Sequence, residues 1–169
     1  MLNQTIVRVG VRYGVLCGVA CFVILMALYL MGFNPFGDAG RWSYLPLPVF
    51  IFLGLKYFKG FHDAEVGFWK GMRVNMSITF YTALCTSMLI YLLIYMVGPE
   101  IIQQHVAELR TLLDESREAQ VKLLGERNFE EAYKGLDTLS PSMLATHDFL
   151  SRMLVGLVFS VVAAIFFRK

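Results

Sequence analysis

Apolar residues run almost unbroken through four stretches of the chain, and polar residues collect between them. Val11 to Phe33 gives 23 residues with one charge, Arg12, at its edge. Trp42 to Phe58 gives 17, with Lys56 near the far end. Val74 to Val97 gives 24 without a charge, and the last stretch runs from Pro141 to Phe167. A membrane-crossing helix needs ~20 predominantly apolar residues. The pattern therefore predicts helices over about 11–33, 42–58, 74–97 and 141–167, all four crossing a bilayer. Gly32, Asn34-Pro35 and Gly37 close the first, and Gly98-Pro99 closes the third. Ser140-Pro141 opens the fourth with an N-cap residue and a proline at the first helical position. The second is the short one. At ~1.5 Å per residue it covers ~25 Å, with Pro46 and Pro48 in its first turns, where a missing N–H costs least. A re-entrant segment is its alternative.

Between the third and fourth stretches the periodicity changes. Ile102, Val106, Leu109, Leu113 and Leu123 fall at heptad-like steps, with Ser116 and Gln120 filling two places. That is an apolar stripe on a charged helix. Gly125 interrupts it. Asn128 is the expected cap of a second helix, with Glu131 as its capping-box partner and Phe129, Ala132, Tyr133 and Leu136 as its apolar face. The expected fold is all-α: one polytopic membrane domain over 1–169, with four transmembrane helices. An extracytoplasmic helical hairpin at 99–140 joins helices three and four.

Composition sharpens this picture. The chain is 57% hydrophobic and 17% charged, where a soluble domain carries about 25% charged residues. Residues 99–140 hold 5 of the 15 Lys/Arg and 9 of the 13 Asp/Glu. Half of all charges thus lie in one quarter of the chain. This excludes a disordered chain, a basic nucleic-acid binder and an ordinary cytosolic enzyme. Arg8, Arg12, Lys56, Lys59, Lys70, Arg73, Arg168 and Lys169 all fall on one side if there are four crossings. By the positive-inside rule both termini are then cytoplasmic, and the insert faces outward.

Candidate chemistry is sparse. Gly10, Gly14 and Gly18 form two overlapping small-xxx-small units, a means of close helix approach in lipid. Asn75, Thr79, Thr82 and Thr86 form a polar intramembrane face on helix three; packing is one use of it and a solute path another. Val106, Leu109 and Leu113 are the candidate partner surface, unless they only close the hairpin. Asp148 and Arg152, four apart on one helix face, are expected near the membrane interface. That placement leaves the centre of each span without the ionisable groups that coupled carriers use. His62, His105 and His147 lie on three separate segments, and no HExxH, CxxC, P-loop or GxSxG sequence occurs. Cys17, Cys21 and Cys85 read as small apolar core residues. No catalytic, metal-binding or cofactor residue is expected, and no cofactor. The loop from Lys56 to Arg73 mixes aromatic and basic residues and reads as an interfacial turn or short helix.

The glycine-bearing first helix with its Met31-Gly32-Phe33-Asn34-Pro35 exit, the Gly67-Phe68-Trp69-Lys70-Gly71-Met72 loop and the Gly98-Pro99-Glu100 junction form a recognisable layout. With the charged insert, it resembles an uncharacterised family of four-helix inner-membrane proteins of Gram-negative bacteria, a domain of unknown function. The resemblance carries over no activity and no site residue. It implies the bacterial inner membrane, with the lipid bilayer as surroundings and a membrane-bound glycosyltransferase as a neighbour. The residues themselves point to a non-enzymatic integral membrane protein. An accessory or scaffold subunit, self-associating or bound to another membrane protein, is the first expectation. A small transporter, channel or lipid-handling protein using the polar face of helix three is the alternative.

Overall fold

The computed structural model describes residues 4–63 and 65–168. Every regular element among them is helical. In order they are α1 (Gln4–Leu30), a 3-10 helix (Asp38–Tyr44), α2 (Pro46–Phe61), α3 (Phe68–Val97), α4 (Glu100–Glu115), α5 (Arg117–Leu124), α6 (Glu126–Gly135), a 3-10 turn (Leu136–Thr138) and α7 (Pro141–Phe166). Three helices, α1, α3 and α7, are long and apolar enough to cross a membrane.

The expected count of four is corrected here. Trp42–Tyr44 belongs to the 3-10 helix, and α2 has only 16 residues, or ~24 Å. A hydrocarbon core is ~30 Å thick. The cause is local: Pro46 and Pro48 fit the first turn of an α-helix but not its interior, so α2 cannot start earlier.

α3 is the central helix, with α1 on one flank and α7 on the other. Its buried residues form one broad stripe of two adjacent rows, Val74, Ile78, Thr82 and Thr86 beside Asn75, Thr79, Ala83 and Ser87, which suits a helix packed against two neighbours. Gly14 of α1 lies so close that a Cβ there would stand 2.6 Å from the Tyr81 Cβ and 2.7 Å from the Ile78 carbonyl. Gly10 meets Ser77 and Gly18 meets Cys85 in the same way. Steps of four along α1 match steps of four along α3, so the two helices run parallel. α7 runs the other way: Gly71 lies against Ala164, Asn75 donates to the Ser160 carbonyl at 3.2 Å, and Thr79 fills the space at Gly156. α2 lies over these three helices with Leu47, Ile51, Leu55 and Phe58 fully buried, a helical stripe at steps of four, four and three. The start of α1 and the end of α7 lie together at the C-terminal end of α2, where Lys59 donates to the Phe167 carbonyl at 3.2 Å.

At the opposite end α3 stops at Gly98, whose φ of +97° suits glycine, and α4 begins two residues on. The insert is a hairpin, as its periodicity predicts, but with different breaks. Ser116 divides the first helix, its hydroxyl bonding back to the Leu112 carbonyl at 2.6 Å. Leu123 is 84% exposed, so the heptad stripe ends within α4. The second helix starts at Glu126, directly after Gly125 (φ +82°), so Asn128 lies inside it rather than at its cap. Ser140 does cap α7, accepting from the Met143 N–H at 3.3 Å. The aromatic loop is shorter than expected, because α2 continues to Phe61 and α3 starts at Phe68. Ala64 of that loop and the terminal Lys169 lie outside the described residues.

Candidate functional site

The α3–α7 register places the charged pair of α7. Continuing the steps of four from Asn75–Ser160 and Thr79–Gly156, Ala83 stands opposite Arg152 and Ser87 opposite Asp148. Ala83 is the sixteenth of the 30 residues of α3, so Arg152 lies midway along the bundle. The pair stands inside the bundle rather than at its end. Arg152 is wholly buried and Asp148 only 8% exposed. The sequence carried the signal, since Arg152 is the twelfth residue of α7 and ~16 Å from its start.

A buried guanidinium is tolerated only when its donors are engaged. Arg152 Nε donates to Asp148 Oδ2 at 2.8 Å. Nη1 donates to the Ser43 carbonyl at 3.3 Å, and Nη2 to the Ser43 hydroxyl at 3.0 Å. The guanidinium carbon lies 4.3 Å from the centre of the Tyr44 ring. Arg152 therefore ties the 3-10 helix to α7 at mid-bundle, immediately before α2 begins. The chain between α1 and α2 descends half the bundle without forming an α-helix.

That descent leaves a space. Beyond the N-terminus of α2, no fourth α-helix fills the groove between α1 and α7. It holds a cavity of about 930 Å³ instead. Most of its wall is apolar: Leu25 of α1, Pro35 and Phe36 of the descending chain, Leu109 and Leu112 of α4, and Met143, Leu144 and Val155 of α7. Polar groups gather with them: Tyr44, His105, Glu108, His147, Asp148 and Ser151, with Asp38 and Arg41 beside them. Asp38, Arg41, Glu108, Leu112, Met143 and His147 are all exposed, so the cavity reaches the surface.

α4 roofs the cavity through one polar clamp. Asn34 donates to Glu108 and to His105 Nδ1, the latter at 3.0 Å, and its own Oδ1 accepts from the Phe36 N–H at 3.0 Å. The Asn34–His105 bond requires Nδ1 to be an acceptor, so the ring proton sits on Nε2. Burial pushes the His105 pKa below the usual histidine value; the Glu108 carboxylate opposes that shift and His147 adds to it.

The residues singled out in the sequence are thus distributed over different tasks. Gly10, Gly14 and Gly18 face α3 of the same chain. Asn75, Thr79, Thr82 and Thr86 are wholly buried and divide between two neighbours. Asn75 and Thr79 meet Ser160 of α7, while Thr86 bonds to the Gly18 carbonyl of α1 at 3.2 Å. Val106, Leu109 and Leu113 are half-buried within the chain, and Leu109 lines the cavity. Arg110 pairs with Asp137 and stacks over Tyr133, which closes the hairpin on itself. The cavity, and the meeting of His105 with His147 at it, were missed, because three histidines on separate segments give no local pattern. Cys17 and Cys21 are buried with their sulfurs 4.0 Å apart. Among the described residues, no group of His, Cys, Asp and Glu is arranged to hold a metal ion.

No curated protein and no solved structure matches the chain. Residues 12–169 match the family described as Protein of unknown function (DUF4199), and the chain belongs to that family.

Proposed function

We propose that this is a non-enzymatic, multi-pass protein of the bacterial inner membrane that holds an amphiphile in its cavity, a lipid-handling role. The observation that carries the reading is the cavity itself, apolar over most of its wall and polar where Asp148 lies. Non-helical backbone at membrane depth is tolerated only against protein or a water-filled space. The descending chain at 34–45 meets that condition by lining this cavity. Retention rather than transport is supported by helix three, whose polar face is buried against α1 and α7 and offers no path. The carboxylates are engaged rather than poised for chemistry, Asp148 by Arg152 and Glu108 by Asn34. The basic clusters support an orientation with the termini in the cytoplasm and the insert outside.

The test is to purify the protein from membranes in mild detergent and weigh it intact by native mass spectrometry. Co-purifying lipid that is lost in Leu109→Trp, which fills the cavity, supports the reading. Unchanged lipid content in that variant overturns it. Cysteine introduced at 115 or 128 should react with an impermeant reagent in intact cells, and cysteine at 62 should not.

A second reading, an accessory or scaffold subunit working through a second copy or another membrane protein, is supported by Leu112 and Leu123, which the insert leaves exposed. Crosslinks from these positions in native membranes that disappear in Leu112→Glu/Leu123→Glu would favour it.

A further inference from the structure

We propose that the end of the bundle where α1 starts and α7 stops is a binding surface for the head groups of anionic phospholipids, whatever the cavity at the other end holds. All four bundle helices bring cations there. Arg8 and Arg12 lie on α1, Lys56 and Lys59 on α2, and Lys70 and Arg73 at the start of α3. Arg168 follows α7. Against these seven stand two carboxylates, Asp63 and Glu65, and Asp63 is already held by Lys70. Arg8, Lys56, Arg73 and Arg168 are all exposed, and none of them is paired with a carboxylate among the described residues.

The pattern along each helix points to lipid rather than to a soluble partner. Exposed Val15 and Val11 are followed on the same face of α1 by Arg8, at steps of four and three. Leu53 precedes Lys56 by three on α2, Phe80 lies seven beyond Arg73 on α3, and Ile165 precedes Arg168 by three. Each outward apolar row thus ends in a cation one or two turns on. When the row faces lipid tails, that cation stands at head-group level. Phe61 and Trp69, each 75% exposed, lie at the same end, and aromatic rings anchor at that level too. The densest point is the seam of α2 and α7. Lys59 donates to the Phe167 carbonyl at 3.2 Å, beside Arg168, and Lys56 lies one turn back. α2 has no acidic residue, and α7 has none after Asp148. The sign of the partner follows. A choline or ethanolamine head group carries its own cation for each phosphate, whereas glycerol leaves the phosphate charge for these side chains to meet.

The experiment uses the full chain, both the parent and Leu109→Trp, so that lipid held in the cavity is not mistaken for lipid at this end. Each is placed in nanodiscs with equal amounts of two phospholipids of identical acyl chains, one with a glycerol head group and one with choline. Lipids retained after release into detergent are counted by native mass spectrometry. The glycerol lipid should be enriched at least about fivefold in both proteins. Lys56→Gln/Lys59→Gln/Arg168→Gln should abolish the enrichment. Lys122→Gln/Arg127→Gln/Lys134→Gln, which removes three cations from the insert instead, should leave it intact. Salt at about 0.5 M should weaken it in the parent, a readout that needs no variant to fold. Enrichment that survives both the α2–α7 substitutions and the salt overturns the proposal, as does enrichment seen in the parent and absent from Leu109→Trp. Equal retention of the two lipids overturns the lipid surface and leaves an acidic protein segment as the partner suited to this end. Competition by millimolar glycerol phosphate would overturn the lipid source in favour of a soluble phosphate.

Discussion

The two halves of the bundle share α1, α3 and α7 and differ in what covers them. Toward the termini a true helix, α2, lays Leu47, Ile51, Leu55 and Phe58 into the groove and leaves them no exposure. Toward the insert the same groove is covered by a descending chain and an amphipathic helix, and a cavity of about 930 Å³ remains. The side chains follow the cover. The buried side chains of the closed half are apolar, hydroxyl-bearing or, at Asn75, an amide, while the open half collects Glu108, His105, His147 and Asp148. Where the cover is an α-helix the protein is closely packed; where it is not, space and charge are retained. The boundary between the halves is Arg152.

The largest effect should come from breaking that boundary. Arg152→Met leaves Asp148 buried without its partner and releases Ser43, at a cost of about 3–5 kcal/mol. Combining it with Asp148→Asn should restore most of the loss, because the uncompensated charge is gone. Unfolding midpoints in detergent report both, and a single variant as stable as the parent would refute the boundary role.

The closed half should come next. Gly14→Leu forces a side chain against Tyr81 and the Ile78 carbonyl and should cost about 1–3 kcal/mol, the usual range for overpacking. Gly60→Ala, where nothing lies within 4 Å, should change stability by less than about 0.5 kcal/mol. The contrast between them measures how tight the packing is.

In the open half the response should be local. Leu109→Glu with Leu113→Glu should make residues 100–140 sensitive to protease while shifting the unfolding midpoint of the bundle less than Gly14→Leu does. Equal shifts would mean that the roof and the core are one cooperative unit.

The smallest effect is a pH dependence of the roof. The folded-state pKa of His105 lies below its unfolded value. Its contribution is therefore complete above about pH 6.5 and is lost as pH falls through the lower folded value. Hydrogen exchange along α4 should quicken as pH is lowered from about 7.5 to 5.5, after correction for intrinsic rates. The change should disappear in His105→Gln, which keeps an acceptor for Asn34 without a titration; an undiminished change would refute the assignment to His105.

What was legible in the sequence follows the same division. α1, α3 and α7 announce themselves by length and hydropathy, because lipid demands both of any crossing helix. The start of α2 did not, since Trp42 and Leu45 are as apolar as a helix requires and only Pro46 and Pro48 mark the change. The Asp148–Arg152 pair was visible as a pair, but its depth depends on where α7 sits against α3, which no single segment records. The cavity was least legible. It is lined by residues between Leu25 and Val155, and its existence depends on a helix that begins late.

The strap between Ser43 and Arg152 also sets an order of events. The two residues are 109 positions apart. A chain made from its N-terminus completes α2 long before Arg152 has been synthesised. Until then α2 has only α1 and α3 to pack against, and Ser43 has no guanidinium to meet. The contact between the 3-10 helix and α7 can form only once the last helix has been made, so the final packing of this protein waits on its C-terminal end. Chains stalled before residue 152 should carry a loose, protease-accessible segment over 38–45 while α2 stays packed on α1 and α3.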